Sequence, residues 1–380
     1  MVLVTKYKSI LVFVLVFLLS SCGGDDEPSP SEDDSKDREA ILIHWVDNII
    51  KPAYGNFNAK LDILVSKAET FTAAPTNTSL VEFRSAWLDA YTAWQKVELF
   101  EVGPADKYTL RNFFNIYPAD VAGIASNIND PSANLDLPAS YSRQGFPALD
   151  YLLNGVGDND TDILTYYTTD PDAAKRLAYI QLIMSKMETR LTNVIAEWNG
   201  AYRDTFIAST GLDIGSSMGA VVNAYVLSYE RFIRSGKIGI PAGVIGTSAG
   251  SPNPEKVEAY YKRDISLALA KTAHEAAADF FNGKSANGGT EGPSFKSYLD
   301  GLDAEDATSG TLLSTIINNQ FSDVSSKLNL LSQNLYEQIQ TNNQAMVETY
   351  TSMQAAVRYL KVDMTSAMSV TITYTDNDGD

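Results

Sequence analysis

Cysteine is almost absent from this chain: its 380 residues include a single one, Cys22. That excludes an intrachain disulfide and any metal site built from several cysteines. Histidine is scarce as well, with only His44 and His274. A zinc site made of several histidines is therefore excluded. "HEAAAD" at 274–279 does not rescue one, because Ala278 stands where a zincin helix needs its second histidine. Positive charge is in short supply: 29 Lys and Arg against 47 Asp and Glu give a formal net charge of −18. No basic stripe offsets this balance, so nucleic acid is excluded as a partner. Phosphate-cradling glycine loops are missing too. "GTSAG" at 246–250 spells G-x-S-x-G but lies between "GIPAGVI" and "SPNP", without the strand-to-helix setting of a nucleophile elbow. "DNDGD" at 376–380 resembles the opening of a calcium loop, with no bidentate glutamate following it.

Long apolar runs are few, and the longest has a different use. Lys6 and Lys8 form a basic start, and residues 10–19 follow as an apolar stretch too short to span a bilayer as a mature helix. Leu19-Ser20-Ser21-Cys22 then resembles a bacterial lipobox. The expectation is a signal peptide over 1–21, cleavage before Cys22, and lipid on that cysteine as the membrane anchor. Residues 22–39 hold "GGDDEPSPSEDDSKDR", which has no apolar residue for a core, and read as a disordered acidic tether. Acidic residues just after the lipidated cysteine resemble a surface-export signal of Bacteroidetes lipoproteins. An outer membrane lipoprotein is expected, facing either the periplasm or the cell surface.

From residue 40 onward the hydrophobic period is helical. Helices are expected over 41–72, with Pro52 as a kink, and over 79–102, 111–128, 147–154, 171–199, 216–235, 254–282, 310–340 and 344–361. Only "SVTITYT" at 369–375 alternates like a strand. The fold class is all-α, with a short irregular or strand-like C-terminal tail, and long amphipathic helices joined by short turns argue for bundles. Two halves are expected, 40–165 and 166–375, related by internal duplication. "WQKVELFEVGPA" and "YVLSYERFIRSGKIGIPAG" each run from an aromatic residue through a glutamate to Gly and Pro, and Gly145 and Gly292 each precede a Tyr-Leu pair by six positions.

The candidate site residues follow from burial arguments. Trp87, Tyr91, Trp94 and Glu98 share one aromatic helix face, which must be packed. Glu98 therefore ends a buried stripe, where a bare carboxylate is expensive. It must be paired, protonated or bound to a cation. Glu230 repeats the arrangement on a face with Asn223, and the two acids would approach one shared interface if the halves pack face to face. Pairing of each acid with a nearby Arg is the structural alternative. Asp150 follows Pro147 in a first helical turn, where an acid also suits the helix dipole.

Together, "FRSAWLDAYTAWQKVELFEVGPAD", "GFPALDYLLNG", "GKIGIPAGVIG" and "MTSAMSVTITYTDNDGD" resemble an imelysin-like lipoprotein of the Bacteroidetes type, from about residue 41 onward. The resemblance implies two helical-bundle halves with a cleft between them. It also implies relatives described as insulin-cleaving peptidases or as periplasmic components of iron uptake, and a shared motif G-x-H-x-x-E. Gly145 matches the motif's glycine, Pro147 stands where the motif has histidine, and Asp150 stands where it has glutamate. Proline offers no side-chain donor or acceptor, so the motif's ligand and base are gone. The expected protein is thus non-catalytic and lipid-anchored, with its ligand site between the halves at Glu98, Asp150, Glu230, Trp94 and Asn223. By family analogy the ligand is iron or another divalent cation, with Glu98 and Asp150 as metal ligands and an outer-membrane receptor as partner. The alternatives are a metallopeptidase of the imelysin type and a surface interaction or scaffold protein.

Overall fold

Pro52 shapes the longest rod in the molecule. The computed structural model describes residues 32–375 apart from 248 and 290. The signal peptide, Cys22 and "DNDGD" lie outside the described residues. One continuous rod runs from Glu32–His44 through a π-helical turn, Trp45–Ile50, into Lys51–Ala73. Pro52 sits in the first turn of the last segment and has no N–H for the carbonyl of Asn48, four residues back. The winding loosens to π immediately before it, and the freed Asn48 carbonyl accepts from the N–H of Ala286 at 3.0 Å. The expected kink is a π-turn docked to a distant part of the chain.

The rod belongs to both bundles. Lys51–Ala73 packs along Asn77–Trp94 and Ala173–Asn199, while Glu32–His44 packs on Tyr202–Ala208 and Ser217–Leu227. The second bundle is completed by the π-helical run Ser228–Gly239 with Ser266–Phe281, Leu313–Asn329 and Leu335–Arg358. Two expectations are corrected here. The boundary near 165 fails because Ala173–Asn199 buries its apolar face against the first bundle. The disordered tether ends sooner than 39 because residues 32–39 are helical, and Arg38 is buried, donating to the Thr210 carbonyl at 2.6 Å and to the Tyr298 hydroxyl at 3.1 Å.

The class is all-α. Among the described residues there is no strand, only the isolated bridges Lys284–Glu291 and Glu305–Leu312. Several expected helices are shorter than their hydrophobic period. The 111–128 segment divides into Leu110–Phe114 and Val121–Asn129. Only Ser266–Phe281 of 254–282 is regular beyond one 3-10 turn, and Ala259 and Arg263 take positive φ ahead of it. The two segments from 310 to 361 redistribute as Leu313–Asn329 and Leu335–Arg358, the latter broken at Asn342 (φ −154°, ψ 74°). Residues 370–375 take the irregular form of the tail: Asn223 accepts from the Thr373 N–H at 2.7 Å and donates to the Thr371 carbonyl at 2.9 Å.

The aromatic stripe is core. Trp94 stacks on Phe114 with centroids 4.9 Å apart, and Tyr91 stacks on Phe146 at 4.5 Å. The duplication is not established. Glu98 opens a 3-10 turn whereas Glu230 lies in a π-helical run, and Gly145 takes φ +72° whereas Gly292 does not take positive φ.

Candidate functional site

Where the two bundles meet, five buried side chains converge from four stretches of sequence. Gln95 and Glu98 follow the end of Asn77–Trp94, where the helix unwinds into a turn and the 3-10 segment Glu98–Phe100. Asn115 follows Leu110–Phe114. Lys237 comes from the π-helical run Ser228–Gly239, and Glu258 from the irregular segment after Pro254–Lys256. All five are at most 4 % exposed, so every charge among them needs an internal partner.

The ammonium of Lys237 is that partner. It donates to Glu258 Oε2 and to Gln95 Oε1, each at 2.6 Å, and lies 3.7 Å from Glu98 Oε2. Gln95 donates to Glu258 Oε1 at 3.1 Å, and Asn115 donates to the same oxygen at 2.8 Å. Asn115 in turn accepts from the Tyr91 hydroxyl at 2.7 Å. Arg111 approaches Glu98 from the other side, with Nε 3.7 Å from Oε1 and a hydrogen bond to the Glu98 carbonyl at 2.5 Å. Its guanidinium also lies 3.8 Å over the ring of Phe232, in the second bundle. The cluster is an oxygen cage already filled by a side-chain cation.

Asp150 is buried, and its carboxylate clamps the opposite bundle. Oδ2 accepts from the Tyr261 N–H at 2.8 Å, Oδ1 from the Lys262 N–H at 3.0 Å, and Asn154 adds a bond at 3.1 Å. Those amides lie just after Glu258, so Asp150 fixes the segment that delivers Glu258 to the cage. Pro147 is buried in the same short helix, Gly145–Asp150, as a first-turn proline should be.

Burial pushes the Asp150 carboxyl up to about 7, against the pull of the three hydrogen bonds. A carboxyl raised in the folded state contributes stability below its unfolded value that is lost as pH rises through the folded one. Buried His274 has the opposite sign: burial lowers it to about 4, so its effect falls below about pH 6.5. Between pH 6.5 and 8 Asp150 should therefore cost on the order of 1 kcal/mol of stability, and Glu101, which burial also pushes up to about 7, adds to the same slope. Urea melts of the parent and of Asp150→Asn across that window check this, the variant losing that part of the slope.

The remaining sequence candidates are placed elsewhere. Glu230 meets Lys361 at 3.1 Å, Arg234 at 3.8 Å and the Tyr374 hydroxyl at 2.7 Å, and it shares no partner with Glu98. Asn223 holds the tail, and Trp94 packs in the first core. Gln95, Arg111, Asn115, Lys237 and Glu258 were not singled out from the sequence. The one available signal was a lysine isolated within the small and apolar "SGKIGIPAG". No group of three or more His, Cys, Asp or Glu able to hold a metal occurs among the described residues.

A cleft of about 430 Å³ opens beside the cluster, on the neighbouring face of the same chain segment. Lys51–Ala73 and the 89–100 stretch form one wall; Ser266–Phe281 and residues 284–286 form the other. The cleft thus lies between the two bundles.

A family model described as Imelysin, of the peptidase M75 group, matches residues 50–364. The chain is 23% identical over 222 residues to the iron-regulated protein A of Synechococcus elongatus, a match spanning 58% of each protein. Two solved structures share the fold. One, from Parabacteroides distasonis and provisionally named an iron-regulated protein A precursor, has a TM-score of 0.67 at 18% identity, covering 90% of this chain and 98% of that one. The other, an imelysin-like protein from Psychrobacter arcticum, has a TM-score of 0.66 at 18% identity, covering 91% and 99%. With the family model matching most of its length, the chain belongs to the imelysin family.

Proposed function

We propose that this chain is a lipid-anchored, non-catalytic binding protein of the cell envelope, that its ligand site lies at the junction of the two bundles, and that it serves iron handling. One observation carries the non-catalytic reading: Lys237 already occupies the oxygen cage formed by Gln95, Glu98 and Glu258. The ammonium, bound to Glu258 and 3.7 Å from Glu98 Oε2, puts a positive charge where a metal ion would have to sit. Pro147 in place of the motif's histidine supports the same reading. The relative named iron-regulated protein A supports the link to iron. An outer-membrane receptor fits this reading as partner, with Cys22 as the anchor.

Two measurements test it. Incubation with a peptide library should give no hydrolysis. Cleavage that EDTA abolishes, and that Glu98→Gln also abolishes, would establish a metallopeptidase instead. Cellular abundance of the protein should change with iron supply, and constant abundance between replete and starved cultures counts against a role in iron handling. The anchor has its own test: Cys22→Ala should move the protein from the membrane fraction to the soluble fraction, and unchanged sedimentation would exclude lipidation there.

A further inference from the structure

The cleft between the bundles is held open by small residues on each facing helix. Ala53, Ala93 and Ala276 line it, over the rings of Phe57, Phe100 and Phe280. An open groove of about 430 Å³ at a helix junction falls within the size range of small-molecule sites. The rim is charged in a specific way. Lys60 is bound to Asp89 at 2.9 Å, and Lys284 to Asp279 at 3.0 Å. Lys96 on one wall and Glu275 on the other are exposed, and among the described residues neither has an ion-pair or hydrogen-bond partner. One unpaired cation and one unpaired anion thus stand on opposite walls of a cleft with an apolar floor.

We propose that this cleft binds a small zwitterionic organic molecule, with an apolar body on the phenylalanine floor, an anionic end toward Lys96 and a cationic end toward Glu275. The proposal deepens the binding reading above and rests on it. A bare metal ion does not suit the site, because a cation gains nothing from the aromatic floor edge or from Lys96. An ordinary fatty acid or alkylamine pairs with the charge on one wall only and gains nothing from the charge on the other.

Calorimetry on the full mature protein in detergent tests this with three probes of one chain length: aminooctanoate, octanoate and octylamine. Aminooctanoate should bind at least roughly tenfold more tightly than either singly charged probe. Lys96→Gln and Glu275→Gln should each remove roughly tenfold of that affinity. Ala276→Leu should abolish binding by filling the cleft while leaving the melting temperature near that of the parent. Should Ala276→Leu perturb folding, Ala93→Leu from the facing wall replaces it. Absence of aminooctanoate binding, or binding indifferent to the filled cleft, overturns the proposal while leaving the non-catalytic reading intact. Peptide hydrolysis would overturn that reading and leave the calorimetry interpretable.

Discussion

Lys237→Met should destabilise the protein by about 3–5 kcal/mol, the cost of leaving buried carboxylates without their cation. Methionine matches the length of the lysine stem, so the loss isolates the charge rather than a cavity. Lys237 is 1 % exposed and donates to both Gln95 and Glu258 at 2.6 Å, with Glu98 3.7 Å away. Two buried acids then depend on Arg111 and two amides alone. The double variant Lys237→Met with Glu258→Gln removes one acid along with the ammonium and should recover part of the loss. Chemical denaturation of the parent, both single variants and the double variant gives the coupling directly. If Lys237→Met costs under about 1 kcal/mol, the ammonium is not what neutralises the cage. A metal titration of Lys237→Met reads the same point from the other side, because removing the ammonium frees the Gln95 and Glu258 oxygens for a cation.

Gly145→Ala should cost roughly 3 kcal/mol or more. Gly145 has a φ of +72°, which costs an L-residue about 1–2 kcal/mol. A Cβ there would also lie 2.4 Å from the Phe114 carbonyl oxygen, which is backbone and cannot rotate away. Separating the two segments adds an overpacking cost of about 1–3 kcal/mol. The urea midpoint should fall with little change in the denaturant slope. Function should suffer indirectly, since Gly145–Asp150 carries the acid that clamps residues 261–262. By contrast, restoring the motif through Pro147→His with Asp150→Glu should create no metal affinity. The longer acid would push against amides that Asp150 already meets at 2.8 and 3.0 Å.

Helix class was legible because a 3.6-residue period is a local property of the chain. The stripe Trp87, Tyr91, Trp94, Glu98 placed an acid at the end of a packed face, and burial alone required a countercharge for it. Proline at 147 offers no side-chain donor or acceptor, and that much was legible from identity alone. The lengths of the helices were less legible. In 254–282, apolar residues continue through an irregular stretch, where buried Val257 and Ala259 lie outside any helix.

What the sequence by itself determined is the class of fold, the helix faces that must be buried, and the need of Glu98 for a partner. Only the tertiary structure decided which partner it would be. Arg111 is near in sequence, but Lys237 lies in another helix and the other bundle, and no periodic pattern relates it to Glu98. The same holds for Asp150, whose partners are backbone amides of residues 261 and 262, groups that every residue other than proline possesses and that a sequence cannot mark. It holds as well for the rod from Glu32 to Ala73, where the Asn48 carbonyl freed by Pro52 accepts from the distant amide of Ala286. Periodicity reports contacts within a few residues, whereas a countercharge or a clamp is chosen by which distant segments the packing of apolar faces brings together.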